Sequence, residues 1–62
     1  MKYKEYDVVR IKKDYKNIKK GSIGVIVMVF DNPNEAYEVE VVDEDGNVVE
    51  ECALLPDYIE KV

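Results

Sequence analysis

Ala36-Tyr37-Glu38-Val39-Glu40-Val41-Val42 is the stretch of this sequence whose side chains alternate most cleanly. Successive side chains of an extended backbone point to opposite faces. Tyr37, Val39 and Val41 therefore share an inward face, and Glu38 and Glu40 point to water. Directly downstream, Asp43-Glu44-Asp45-Gly46-Asn47 carries hairpin chemistry, with Gly46 where the turn needs positive φ. Val48–Ala53 then returns as the neighbouring strand, in either of two registers, because Val48 and Val49 are both apolar.

Upstream, Ile23-Gly24-Val25-Ile26-Val27-Met28-Val29-Phe30 is apolar on both faces. Its β-branched content favours a strand over a buried helix, and Gly24 marks a bend or the close approach of another backbone. A long bent strand serving two sheets in turn puts Ile23, Val25 and Val27 in the core and lets Ile26 or Met28 cover a flank. Asp31–Glu35 is loop chemistry around Pro33. Asp7–Lys12 alternates as a first strand, Val9 and Ile11 sharing one face, and Lys13–Lys20 is a lysine-rich loop anchored by Tyr15 and Ile18. At the other end, Leu54-Leu55-Pro56 breaks the ladder as one turn of 3₁₀ helix, and Asp57–Val62 supplies a short last strand. Together these describe an all-β chain: a small five-stranded SH3-like barrel, with a 3₁₀ turn before the last strand, built as a single domain over residues 1–62. Closing a small sheet on itself limits exposed strand edges.

A chain of 62 residues with no histidine, no tryptophan and one cysteine has few catalytic options. It lacks the commonest general base, and a single thiol builds no Cys/His metal centre. Lone Cys52 makes no internal disulfide, which fits a reducing cytoplasm, and its expected role is that of a small buried apolar residue. The longest apolar run, Val25–Phe30, is far short of the roughly 20 residues that span a bilayer, and no basic segment followed by an apolar one opens the chain as a signal peptide would. The net charge of −5 is unevenly spread. Met1–Lys20 holds eight cations against three carboxylates, and Gly21–Val62 holds eleven carboxylates against Lys61 alone. Folding can turn opposite charges into cross-strand neighbours; what stays unpaired can steer an oppositely charged partner.

Three resemblances follow from particular residues. Leu55-Pro56-Asp57-Tyr58-Ile59-Glu60 looks like the end of eukaryotic SH3 domains, but the missing tryptophan and the basic Lys12–Lys20 loop depart from a proline-peptide groove. Lys19-Lys20-Gly21-Ser22-Ile23-Gly24-Val25-Ile26 resembles the core of KOW-type modules. From Glu5 to Val62, through Asp7–Asp14, Ile18–Val27, Glu35–Val41 and Asp43–Gly46, the chain is similar to a family of small bacterial proteins known as a domain of unknown function (4926). That resemblance implies an SH3-like barrel and, from placement beside toxin-like genes in some genomes, an antitoxin or immunity role. It carries over no catalytic or binding residue.

The remaining constellations point away from chemistry and towards binding. Asp43–Asn47 lacks the spacing of an EF-hand, since Gly46 falls at position 4 and no acidic residue closes the loop. Glu50 and Glu51 are adjacent in a strand, so they cannot flank one bond. The expectation is a non-catalytic protein-binding module without cofactor or metal, cytoplasmic, a monomer or weak dimer, most consistent with an antitoxin or immunity-type protein facing a basic partner. Tyr15, Glu38, Glu40 and Tyr58 are the candidate partner-binding residues, with Tyr6 and Tyr58 expected at the barrel end. The alternative is a KOW-like nucleic-acid or ribosome-associated accessory domain, using Lys12, Lys13, Lys16, Lys19 and Lys20 beside Tyr15.

Overall fold

A computed structural model describes residues 2–62, and its strands fall where turn residues and periodicity place them. They are β1 (Val8–Ile11), β2 (Ile23–Phe30), β3 (Ala36–Val42), β4 (Val48–Leu54) and β5 (Ile59–Lys61), with a 3₁₀ turn over Pro56–Tyr58. All pair antiparallel in one sheet of order β4-β3-β2-β1-β5. The chain runs as a meander through β4, and the 3₁₀ turn then brings β5 back beside β1. The all-β class, the five strands, the long first connection and the turn before the last strand are those expected of the SH3-like barrel. The 3₁₀ turn begins at Pro56 rather than Leu54; Leu54 stays in β4 opposite Tyr37 and is buried.

The core is the inner face of the curled sheet. Val9 and Ile11 of β1, Ile26 of β2, Tyr37, Val39 and Val41 of β3, Leu54 and Ile59 are all buried. Two further residues close it, Ile18 from the long loop and Tyr3 from the N-terminal segment. Ile18 is set by a two-way backbone bridge with Tyr15, at 2.8 and 2.9 Å. Tyr3 donates its amide to the Tyr37 hydroxyl (3.1 Å) and its own hydroxyl to the Ile59 carbonyl (3.2 Å).

The inward set of β2 differs from the sequence expectation. Gly24 lies opposite Val41 and Ile26 opposite Val39, then the register shifts so that Met28 pairs with Glu38 and Val29 with Tyr37. Val27 is the extra residue of a β-bulge, and a bulge reverses the parity of the strand beyond it. Gly24, Ile26 and Val29 therefore look inward, while Ile23 and Val25 turn outward and Met28 is exposed. A second bulge opposite Val41 and Val42 leaves Val49 unpaired in the ladder and settles the register of β4. Gly46 has φ of +85°, as the hairpin requires, and the Asp43 carboxylate accepts the amides of Asp45 and Asn47, both at 2.9 Å. Tyr6 does not pack at the barrel end: it is three-quarters exposed, with its own φ positive.

Candidate partner-binding surface

The outer face of the sheet can be read row by row from the strand register. One row runs Val8, Val25, Glu40, Glu51 across β1 to β4, and the next runs Met28, Glu38, Ala53 across β2 to β4. In these two rows aliphatic residues lie on β1 and β2 and carboxylates on β3 and β4, while a third row, Arg10, Ile23, Val42, Val48, carries a cation paired with Glu60 at one end and an exposed valine at the other. The aliphatic half is open to solvent, Val8 being 44% exposed and Met28 51%. Exposed apolar residues on one sheet face, with charge along their border, are the surface pattern of an interface.

The carboxylates are crowded. Glu40 and Glu51 face each other directly, and like charges in that position destabilise a sheet. A hydrogen bond shared with Glu51 holds the Glu38 carboxyl above the usual carboxylate range, with smaller contributions from burial and from the Glu51 charge. Among the described residues, the ion pairs are Arg10–Glu60 (3.5 Å), Lys13–Asp57 (3.2 Å) and Lys61–Asp7 (3.8 Å). All involve β1, β5 or the segments beside them. The charge asymmetry of the sequence therefore persists in the fold: cations and anions pair around β1 and β5, and the outer face of β3 and β4 keeps unpaired carboxylates.

Tyr15 and Tyr58 meet edge to face, with ring centroids 5.4 Å apart. The cause is the docking of the long loop on the 3₁₀ turn, where Lys12 donates its amide to the Tyr58 carbonyl at 2.7 Å. Lys13 lies over the Tyr58 ring at 4.7 Å while bonding Asp57, and Lys16 lies 5.4 Å over Tyr15. The Lys13 hydrogen bond is the main cause that holds the Asp57 carboxyl below its ordinary value. Both tyrosines pack partly buried against the core, on the side of the sheet opposite Glu38 and Glu40. The four residues grouped by sequence therefore lie on two surfaces: a carboxylate and aliphatic outer face, and a tyrosine and lysine ledge on the loop. Of the lysines named for nucleic acid, Lys13 is in an ion pair, and Lys12, Lys16, Lys19 and Lys20 are exposed outside any.

Glu51 was missed as a member of the outer face, because its direction depends on the bulge at Val49. The signal that could have found it is the hairpin: pairing back from Asp43–Asn47 sets Glu51 opposite Glu40 once the bulge is allowed.

An open groove between Lys20–Ile23 and Val42–Glu44 brings Lys20 near Asp43 and Glu44, but Asp43 is already engaged by the amides of its own turn. Cys52 is half-buried on the inner side of β4 against the core. Burial, then the Glu50 charge, pushes its thiol pKa up, with Lys16 opposing. Since the thiolate is the nucleophile, Cys52 is expected to react with iodoacetamide at pH 8 several-fold more slowly than the same cysteine in unfolded chain, and equal rates would contradict this placement. No helix among the described residues is long and apolar enough to cross a membrane.

No curated protein and no solved structure matches the chain. A protein-family comparison matches residues 5–61, nearly the whole barrel and both surfaces just described, to a domain of unknown function. On that match the chain belongs to the family of domains of unknown function DUF4926.

Proposed function

We propose that this domain is a non-catalytic protein-binding module of the antitoxin or immunity type, which docks on a basic partner protein through the outer face of its sheet. The observation that supports the reading is the row structure of that face. Exposed aliphatic side chains of β1 and β2 border Glu38, Glu40 and Glu51, which have no cation of their own among the described residues. A partner's Lys or Arg placed among these carboxylates relieves their mutual repulsion, and its apolar side chains cover Val8 and Met28. Electrostatics of this kind governs encounter and register, and the covered aliphatic surface supplies the non-directional part of the affinity. Lysines on the Tyr15–Tyr58 ledge support a second reading, contact with nucleic acid, in which Tyr15 serves as a stacking platform.

A tagged chain incubated with nuclease-treated lysate at low and high salt separates the two. Retention of one basic protein at low salt and its release at high salt is the expected result. Recovery of generic RNA or DNA from untreated lysate, with no protein retained after nuclease, would instead assign function to the lysine ledge.

A further inference from the structure

We propose that the partner enters as an extended, cationic segment that adds a strand to the free edge of β4, a proposal that rests on the outer-face reading above. The strand order leaves two edges, β4 and β5. An edge strand presents a row of unpaired N–H and C=O groups, and proteins blunt such edges by shortness, lysine, proline or bulges. At three residues, with Lys61 in it, β5 is blunted. The seven residues of β4, Val48–Leu54, contain neither lysine nor proline. Its bulge lies at the hairpin end, so Glu50–Leu54 forms a regular run that matches Tyr37–Val41 residue for residue.

Charge decides what can pair there. A second copy of β4 would bring its own Glu50 and Glu51 against these same carboxylates, so the edge repels itself. A cationic strand has the opposite effect. The outward row Val8, Val25, Glu40, Glu51 ends at the edge, and the residue added beside Glu51 extends it by one place. A lysine or arginine there sits next to Glu51 and two strand spacings, about 10 Å, from Glu40, a distance that a long cationic side chain and a glutamate can span between them. Two residues along, the added strand lies beside Ala53, whose small side chain leaves the face low in the row that ends at Met28. A long apolar side chain at that place crosses Ala53 towards Glu38 and the aliphatic half. Main-chain hydrogen bonds to the edge then give affinity, and alternate side chains give specificity, the pattern of recognition by strand addition.

The test uses the full chain, isotope-labelled, with a short blocked peptide repeating lysine-threonine-leucine-threonine as the probe, so that lysine and leucine fall two residues apart on one face. Amide exchange is followed by NMR with and without saturating peptide, in wild type and in two outward-facing variants, Glu51→Lys and the double variant Glu38→Lys with Glu40→Lys. The expected result is that alternate β4 amides, those pointing away from β3, exchange about tenfold more slowly in the complex. Glu51→Lys should weaken binding about tenfold, and the same peptide with glutamate in place of lysine should not bind. Binding that perturbs Val8, Met28 and Glu38 but leaves β4 exchange unchanged would overturn strand addition and keep the outer-face reading. Binding that is indifferent to the double variant, or no binding of the lysine peptide, would overturn both.

Discussion

Tyr37→Ala is expected to leave the domain unfolded at 25 °C, whereas Tyr37→Phe stays folded with a lowered Tm. Tyr37 heads the fully buried side chains of the core by volume and has no exposed surface. Truncating a buried aromatic to alanine costs about 3–5 kcal/mol, and a single core of this size rarely supplies more than about 3–5 kcal/mol in total. The ring also stacks edge to face on Tyr3, with centroids 5.3 Å apart. The hydroxyl adds a separate contribution. It accepts the Tyr3 amide at 3.1 Å and donates to the Glu35 carboxylate, which also receives the Lys2 amide. Phenylalanine keeps the ring and strands the buried Tyr3 amide, a loss of about 1–3 kcal/mol. The Tyr37 hydrogen bond is the main cause holding the Glu35 pKa below its ordinary value. A lowered carboxylate pKa contributes stability above the ordinary range that disappears as pH falls through the folded value, so the gap between wild type and Tyr37→Phe should narrow in acid. Thermal and urea unfolding followed by circular dichroism measures all three proteins; a cooperative Tyr37→Ala transition within a few degrees of wild type would contradict this account of the core.

Gly24→Ala carries the second large effect. A Cβ at this position would lie 2.5 Å from Val39 Cγ1 and 3.0 Å from the Glu40 carbonyl oxygen, where carbon contacts are favourable only from about 3.5 Å. Neither neighbour yields easily: Val39 is buried with a β-branched side chain, and Glu40 O is backbone. Either β2 and β3 move apart or Val39 leaves its rotamer, and overpacking of this kind costs about 1–3 kcal/mol or more. At about 4–8 °C per kcal/mol for a domain of this size, Tm should fall by about 10 °C. Because the contact with Val39 Cγ1 is the shorter of the two, Val39→Ala in the Gly24→Ala background should cost less than Val39→Ala does in wild type, as expected for coupled neighbours. Additive losses would show that the crowding at Val39 is not what excludes a side chain.

How far the sequence discloses this molecule depends on where parity can be read. In Ala36–Val42 the charged residues mark one face, so strand, bounds and inward set all follow from the sequence, and Glu38 and Glu40 are legible as surface. In Ile23–Phe30 every residue but glycine is apolar, so the bounds are legible and the facing is not. A bulge at Val27 reverses it without altering composition. The same ambiguity at Val48 and Val49 hides Glu51 from the candidate surface. Tyr3 belongs to no periodic segment, and its burial depends on a hydroxyl from residue 37. Tyr15 and Tyr58 are legible as loop and turn residues; that they meet, and lie away from the glutamates, is not, because alternation assigns faces within strands and says nothing of where a long loop folds.

Binding through the outer face of the sheet is tested most directly by the double variant Glu38→Lys with Glu40→Lys, with unfolding and partner capture measured on the same preparation. Both positions point outward, half-buried among their neighbours, and substitutions outside the core usually shift stability by about 0.5 kcal/mol or less. Lysine at position 40 also meets Glu51 across the ladder as an opposite charge. The predicted result is an unfolding midpoint equal to or slightly above wild type, together with loss of the salt-sensitive capture of a basic protein. Undiminished capture by a folded double variant would contradict the assignment of this face.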